Sequence, residues 1–207
     1  MATEAEGPGL RYALWVQGCP LRCDGCCNPG MLPFVRATEL TVGEVAAELC
    51  STPLIDGVTF LGGEPFAQAE PLARVAHAAR ERGLSVLVFS GYTIEELRAP
   101  DRRSWTALLA ETDLLVDGRY QAGNPAVLRF VGSANQRLHA LTGRGAALAR
   151  EFERGPDLVE VRIDGASAPV LGSSVPPVRG VSVTMNGTPD GISICCEPRS
   201  GDTARKA

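Results

Sequence analysis

The sequence lacks the features that mark several protein classes. No stretch approaches the ~18 uninterrupted apolar residues of a membrane span, so we expect no transmembrane helix and no membrane partner. The 20 basic and 24 acidic residues give a net charge of −4, which provides no electrostatic basis for binding nucleic acid. Residues 1–9 contain two glutamates and no basic segment followed by an apolar run, so we expect no secretory signal and a cytoplasmic protein.

Cysteine is too sparse for a disulfide scaffold, because the chain has only 7 in 207 residues. The odd number also excludes complete pairing within one chain. In a reducing compartment, clustered cysteines are more often metal ligands or catalytic groups than cross-links. The 23 glycines and 15 prolines favour a loop-rich protein, and the length fits a single domain.

Strand and helix patterns alternate along the first two-thirds of the chain. Short runs of β-branched and aromatic residues predict strands, and the capping boxes Thr41-x-x-Glu44 and Thr93-x-x-Glu96 predict helix starts. The predicted strands are 11–16, 57–61, 85–89 and 114–116, and the predicted helices are 42–50, 71–82, a short one after Thr93, and 105–111. This order is typical of a parallel sheet, in which ligands lie beyond the carboxyl ends of the strands.

The character of the chain changes after about residue 141. We expect a helix over 145–154, a strand over 158–163, and a hairpin that pairs 181–185 with 192–196. The polar residues 198–207 are expected to be disordered. The chain therefore divides into an N-terminal arm (1–10), a core (11–141), a C-terminal extension with a β-hairpin (142–197) and a tail (198–207).

Three cysteines, Cys19, Cys23 and Cys26, follow the first predicted strand with C-x3-C-x2-C spacing. Thiolates this close on one loop are best neutralised by a metal centre. A structural zinc site requires four nitrogen or sulfur ligands, and an electron-transfer iron–sulfur cluster commonly uses four cysteines. A four-iron cluster held by only three cysteines leaves one iron free to bind a substrate or cofactor.

With the segments around it, this loop resembles the radical S-adenosylmethionine (SAM) superfamily, and in particular the activating enzymes of anaerobic ribonucleotide reductase and their relatives. The resemblance covers residues 13–141. It rests on Gly62-Gly63-Glu64-Pro65 after the second predicted strand, and on the segments Cys23-x-Gly25-Cys26-x-Asn28, Ser90-Gly91-Tyr92-Thr93-x-Glu95-Glu96-Leu97, Leu115-Val116-Asp117-Gly118 and Arg129-x-x-Gly132-Ser133-x-Asn135-Gln136-Arg137.

The resemblance implies an α/β fold, an incomplete and open (βα) barrel, since a complete barrel takes ~250 residues. It implies that Cys19, Cys23 and Cys26 hold a 4Fe-4S cluster whose fourth iron binds SAM. One electron then cleaves SAM to methionine and a 5′-deoxyadenosyl radical, which in activases takes a hydrogen atom from a glycine of a partner enzyme. Reduced flavodoxin or ferredoxin is the electron donor implied, and no acid–base residue is assigned as catalytic.

The resemblance also assigns cofactor-binding residues, each with a plainer alternative. Gly62-Gly63-Glu64-Pro65 would contact the amino group of SAM, or would simply end a strand with an exposed glutamate. Gly25 and Cys27 flank the third cysteine near the expected adenine. Cys27 departs from the family, which usually has an aromatic residue there. We expect Cys27 to act as a small apolar packing residue rather than as an extra thiol near the cluster. Ser90 and Asp117 would touch SAM or an adjacent cation, or would cap loops.

The remaining histidines and cysteines carry weaker expectations. His77 on a helix and His139 in a late loop or helix lie far from the cysteine loop in sequence, and we assign neither a metal. Cys50 is expected to be buried and inert. The pair Cys195-Cys196 lies on a predicted strand, where neighbours point to opposite faces and do not converge on one ligand.

Two alternatives to the activase interpretation stay open at the sequence level. A radical SAM enzyme could act on a peptide or a small molecule, with the chain beyond residue 141 determining the substrate. The chain could instead be a non-catalytic iron–sulfur or zinc module, with Cys27 or a distant cysteine as the fourth ligand. The segment from Arg129 to Arg137 either contributes to function or ties the late chain to the sheet.

Overall fold

The computed structural model describes residues 2–99 and 101–152, together with the backbone of three later strands. Its main sheet has six strands: β1 (Ala2–Thr3), β2 (Arg11–Val16), β3 (Gly57–Gly62), β4 (Ser85–Ser90), β5 (Leu114–Asp117) and β6 (Arg137–Ala140). The strands are ordered β1-β2-β3-β4-β5-β6. Strands β2 to β5 are parallel, whereas β1 and β6 add antiparallel strands at the two edges. The fold is therefore α/β with an open, mixed sheet: the four predicted strands are parallel as expected, and the two antiparallel edge strands were not predicted.

The helices follow the predicted positions closely. They are α1 (Val42–Ser51), α2 (Ala69–Glu81), α3 (Ile94–Leu97), α4 (Arg103–Glu111) and α5 (Gly143–Glu151). Both predicted capping boxes are present, because Thr41 and Thr93 each exchange hydrogen bonds with the glutamate three residues later. Helix α2 ends before Gly83, which has a φ of +76°.

The sheet separates two apolar clusters because alternate residues of each strand point to opposite faces. One face buries Val58, Phe60, Val86, Val88 and Leu115 against α1, α2 and α4. The other face buries Leu87, Leu114 and Val116 beneath Phe130 and Phe152, and α5 packs on this side.

The N-terminal segment packs against the same face as α5. Strand β1 pairs with the start of β2, and Thr3, Ala5 and Glu6 are buried. Beneath this segment the guanidinium of Arg11 is fully buried and donates hydrogen bonds to Thr59 and Ser85. Burial lowers the pKa of Arg11 to about 10, still far above neutral pH, so the group remains charged.

Three later strands form a separate antiparallel sheet, ordered β8-β7-β9: β7 (Leu158–Val161), β8 (Val170–Leu171) and β9 (Ile192–Cys195). Strand β9 pairs with β7. The expected hairpin partner, residues 181–185, lies outside the described residues, as do Cys196 and the tail. No helix in the described part of the chain has the length and apolar composition needed to cross a bilayer.

Candidate active site

A cavity of about 420 Å³ opens where β2, β3 and β4 end, and we call it the reaction cavity. Its volume lies in the range of small-molecule sites. It brings together eight of the residues that the sequence singled out, since its lining includes Cys19, Cys23, Cys26, Cys27, Gly62, Gly63, Glu64 and Ser90. The loops that follow three neighbouring parallel strands therefore meet at one edge of the sheet.

The cysteine loop is folded back on itself by backbone hydrogen bonds. The amides of Gly18 and Cys19 donate to the carbonyls of Met31 and Leu32 at 2.9 and 3.0 Å. Within the loop, the amide of Asn28 donates to Cys26 Sγ at 3.4 Å. These bonds fix where the three thiols of the motif lie relative to β2.

The thiols of this loop are free and influence one another electrostatically. Burial raises the pKa of Cys23, a backbone hydrogen bond involving Tyr120 partly offsets this, and neighbouring Cys26 and Cys19 raise it further. Burial, reinforced by Cys26, raises the pKa of Cys27 to about 11. Several thiolates can coexist here only if a cation compensates their charge.

The turn after β3 packs directly against the cysteine loop. Gly62 has a φ of +105°, and a Cβ atom on Gly63 would lie 2.4 Å from the Gly18 carbonyl oxygen. The Gly63 amide donates to the carbonyl of Val16 at 2.7 Å, and the Glu64 amide donates to Gly18 at 3.0 Å. Both glycines are therefore required by backbone conformation or close approach, independently of any ligand.

Glu64 is buried at the wall of the reaction cavity, with 1% of its surface exposed, which excludes the alternative of an exposed glutamate that simply ends a strand. Its carboxylate accepts hydrogen bonds from the amides of Phe66 and Gly91 and from Ser90 Oγ, each 2.9 Å long. Burial outweighs these bonds and raises the pKa of Glu64 to about 7. Ser90 therefore holds the carboxylate of Glu64 in its position at the cavity wall.

Three of the expected cofactor residues do not line the reaction cavity. Gly25 is exposed and takes a φ of +68° at the turn between Cys23 and Cys26. Pro65 is buried at the start of a 3₁₀ turn, Pro65–Gln68. Asp117 is fully buried, and its carboxylate accepts hydrogen bonds from Arg137 and from the Ile94 amide at the start of α3.

The segment from Arg129 to Arg137 ties the late chain to the end of β5. Gln136 Nε2 donates to the carbonyl of Gly118 at 2.9 Å, while its Oε1 accepts from the amides of Gly132 and Ser133. Asn135 Nδ2 donates to the carbonyl of Arg119 at 2.8 Å. These bonds fix the start of β6 and hold Gly118 and Gly132 at the cavity wall.

Sequence reasoning missed the apolar floor of the reaction cavity and one charged residue in it. Trp15, Leu61, Phe89 and Phe130 line the floor, and Glu6 reaches it from the N-terminal segment. The alternation along each strand places Trp15, Leu61 and Phe89 on the face opposite α1 and α2, which could have revealed them. Glu6 carried no comparable signal, because a glutamate near a terminus is ordinarily solvated.

Cys50 and the two histidines are not part of the lining of this cavity. Cys50 is exposed in the last turn of α1, so the expectation of burial was wrong: its neighbour Leu49 faces the core, and Cys50 faces outward. His139 lies on strand β6, not in a loop or helix, and its Nε2 is 3.0 Å from Asp117 Oδ2. His77 Nδ1 lies 3.1 Å from Glu111 on α4.

The donor set fits a cluster better than a single ion. Within residues 2–99 and 101–152, no three His, Cys, Asp or Glu side chains are arranged to hold one metal ion. Cys19, Cys23 and Cys26 all line the reaction cavity. Sulfur ligands spread around a shared space are what a multi-iron cluster requires.

Comparison with known proteins agrees with this geometry. Residues 5–139 match the model of the family described as the 4Fe-4S single cluster domain. The chain is 30% identical over 144 residues to the anaerobic ribonucleoside-triphosphate reductase-activating protein of Enterobacteria phage T4, covering 66% of this chain and 88% of that protein.

A second relative is the pyruvate formate-lyase-activating enzyme of Staphylococcus aureus (strain USA300), which is 31% identical over 139 residues. The match covers 64% of this chain and 55% of the staphylococcal enzyme, so the chain spans about half the length of that relative. The aligned region of the family model contains the whole reaction cavity. The chain therefore belongs to the 4Fe-4S single cluster domain family and is a radical SAM enzyme of the same superfamily as these activating enzymes.

Proposed function

We propose that this protein binds a 4Fe-4S cluster and SAM in the reaction cavity and installs a glycyl radical on a partner enzyme. The observation that carries the proposal is the shared wall of that cavity: the three cysteines of the C-x3-C-x2-C motif lie beside Glu64 and its hydrogen-bond partner Ser90. The proposed substrate is a second protein, since the names of both relatives describe the activation of another enzyme. That the radical is placed on a glycine of this protein is part of the proposal.

Cys19, Cys23 and Cys26 are the proposed cluster ligands. Their free thiols, mutual electrostatic influence and common cavity support this assignment. When bound, the cluster and SAM supply the reductive cleavage that yields methionine and a 5′-deoxyadenosyl radical. Cys27 lies in the same wall but is not required as a ligand, since three cysteines leave one iron for SAM.

The turn Gly62-Gly63-Glu64-Pro65 is the proposed SAM-binding element. Glu64 would accept a hydrogen bond from the amino group of SAM, and a nearby cation would favour its ionised form and reverse the rise in its pKa. Ser90 and the Gly91 amide hold this carboxylate in place. Gly25 would present its backbone near the adenine, and Pro65 would fix the turn.

Asp117 has a positioning role in this proposal and makes no contact with SAM. It anchors the start of α3 and the guanidinium of Arg137, which keeps the strand end beside Gly118 in place. The apolar floor formed by Trp15, Leu61, Phe89 and Phe130 excludes water from the site of a reactive radical.

The proposal extends to the fold type and the compartment. We infer that the open sheet belongs to an incomplete (βα) barrel of the radical SAM type, which would leave room for a protein-sized substrate. The five described cysteines are free thiols, which suits the reducing cytoplasm. Reduced flavodoxin or ferredoxin is the proposed source of electrons.

Anaerobic reconstitution with iron and sulfide tests this function. After reduction with dithionite and addition of SAM, we expect 5′-deoxyadenosine, and no product after Cys19→Ala, Cys23→Ala or Cys26→Ala. Cys50→Ala is the matched control, because that thiol is exposed and far from the cavity, and it should leave product unchanged. One equivalent of zinc without 5′-deoxyadenosine would instead support the non-catalytic module.

The partner is tested separately from the cofactor chemistry. Incubation of the loaded enzyme with an anaerobic ribonucleotide reductase or a pyruvate formate-lyase should give the doublet spectrum of a glycyl radical. Formation of 5′-deoxyadenosine without a radical on either protein would retain the SAM chemistry and point to a peptide or small-molecule substrate.

A further inference from the structure

A second cavity of about 450 Å³ lies directly behind the wall of the reaction cavity. We call it the rear cavity; its lining includes Pro20, Phe66, Tyr92, Arg102 and Trp105. Cys19 and Leu21 line the reaction cavity, while Pro20 between them lines the rear cavity. One peptide link therefore separates the rear cavity from a proposed cluster ligand.

The same alternation occurs at two other points of the wall. In the loop after β3, Glu64 lines the reaction cavity and Phe66 lines the rear cavity. In the loop after β4, Gly91 lines the reaction cavity and Tyr92 lines the rear cavity. The wall is thus a single layer of chain, built from the three loops that follow β2, β3 and β4.

The rear cavity has an aromatic floor with a cation at its edge. Trp105 lies between Tyr92 and Phe66, with ring centroids 4.7 and 5.8 Å away. The guanidinium of Arg102 stacks on Trp105 at 3.9 Å from the ring centroid. Phe66 and Trp105 are themselves buried, so Tyr92 and the exposed Arg102 are the parts of this floor that a partner protein can touch. Tyrosine and arginine are both enriched where proteins contact one another.

The charge at this edge is opposite to that of the whole chain. Arg98, Arg102 and Arg103 are all exposed, and Asp101 is the only acidic residue in the segment from 98 to 103. Glu70 lines another part of the cavity. On a protein with a net charge of −4, this arginine edge is a local positive patch that attracts an acidic partner.

We propose that the rear cavity and its arginine edge are the docking site for an acidic protein that donates one electron. This inference rests on the proposed function, because only a protein with a resident cluster needs an external reductant. The donor protein loses one electron to the cluster across the single-layer wall, and no bond or proton is transferred. Docking here leaves the reaction cavity open to SAM and to the protein substrate.

The test compares two reductants on a charge-reversed variant. Arg98→Glu together with Arg103→Glu removes the positive edge without touching the lining of either cavity. We expect the rate of cluster bleaching by reduced flavodoxin at low salt to fall about tenfold and its salt dependence to flatten. Bleaching and 5′-deoxyadenosine formation with dithionite should match the unmodified enzyme, because a small reductant needs no docking surface.

Arg150→Glu is the matched control, since Arg150 is equally exposed but lies on α5, across the sheet. It should leave reduction by flavodoxin unchanged. Equal rates for the double variant and the unmodified enzyme would overturn the proposal. So would equal losses with both reductants, which indicate a folding defect, or a loss confined to glycyl-radical yield, which indicates docking of the substrate protein.

Direct binding gives a readout that does not depend on activity. Titration of flavodoxin into the protein, followed by calorimetry at two salt concentrations, should show weaker binding for the double variant than for Arg150→Glu. If the protein holds no cluster, the proposed function fails, yet this titration still decides whether the rear cavity binds an acidic protein.

Discussion

Arg137 holds Asp117 through two parallel hydrogen bonds, from Nε to Oδ1 at 3.0 Å and from Nη2 to Oδ2 at 2.7 Å. The guanidinium is half exposed, with 46% of the side chain accessible, whereas Asp117 is fully buried. Burial alone would raise the pKa of Asp117, but the bonds from Arg137 and the Ile94 amide, with His139 nearby, leave it lowered. The pair joins β5, β6 and α3 at one point.

Asp117→Asn should therefore destabilise the protein by about 3 kcal/mol, because the change leaves the guanidinium without its buried partner. The free energy of unfolding, measured by urea denaturation, checks this. Glu95→Gln is the matched control: Glu95 also accepts from Arg137 but is 66% exposed, so its loss should cost less than about 1 kcal/mol. Equal effects of the two changes would contradict the assignment of Asp117 as the anchor.

Gly63→Ala should disturb the cysteine loop. The added methyl group would lie 2.4 Å from the Gly18 carbonyl oxygen, which is backbone and cannot turn aside. We expect a loss of about 1–3 kcal/mol in the free energy of unfolding and less iron bound per chain after reconstitution.

Gly143→Ala provides the comparison for that substitution. Gly143 begins α5, and a methyl group added there would have no heavy atom within 4 Å beyond its own helix and chain neighbours. Alanine at this position should therefore be neutral or stabilising by about 0.5 kcal/mol. Normal iron content in the Gly63 variant would argue that the close packing of the turn is not needed to form the cluster site.

Glu64 should make the protein without cofactors less stable as pH rises. Its pKa is raised to about 7 in the folded state from an ordinary value of 4.5, so the folded protein binds the extra proton between these values. The contribution of Glu64 to the free energy of unfolding is fully present below about pH 4.5 and is lost as pH rises through about 7. The total change in the free energy of unfolding is on the order of 3 kcal/mol.

Comparison with Glu64→Gln isolates this contribution from that of the other carboxyl groups. The difference in free energy of unfolding between the two proteins, followed by urea denaturation from pH 5 to pH 8, should shift in favour of the glutamine variant as pH increases. A difference that is constant with pH would show that Glu64 titrates normally.

Alkylation should distinguish the exposed thiols. Cys50 is exposed on α1, whereas the pKa of about 11 at Cys27 keeps that thiol protonated at pH 7.5 although the residue is also exposed. We expect iodoacetamide to modify Cys50 faster than Cys27. It should also modify Cys50 faster than Cys19, because Cys19 is buried. Peptide mapping by mass spectrometry measures the order, and faster reaction at Cys27 would contradict the raised pKa.

The four parallel strands were predictable because each is a compact, mostly apolar run that ends in a turn. Strand β6 was not predictable from the sequence, since Arg137–Ala140 contains only one large aliphatic residue, Leu138, and lies at an edge of the sheet. Its position depends on Asn135 and Gln136, which bond to residues 16 to 18 positions away in sequence. Such long-range contacts leave no local periodicity in the chain.

In the candidate site too, local features could be predicted from the sequence, whereas long-range contacts could not. The spacing of Cys19, Cys23 and Cys26 is visible in the sequence because all three are on one loop. The hydrogen bonds that occupy Glu64 and Asp117 are not visible, because their donors lie on other strands and helices. Burial of Glu6 depends on the path of the N-terminal segment across the sheet, which composition alone does not specify.

The contact between the Gly62-Gly63 turn and the cysteine loop has a thermodynamic consequence. The amides of Gly63 and Glu64 are bonded to Val16 and Gly18, so the turn cannot shift without the loop that begins at Gly18. A ligand that shifts one of these segments must therefore also shift the other. If a ligand on one side of the contact changes the affinity for a ligand on the other side, the second ligand changes the affinity for the first by the same factor.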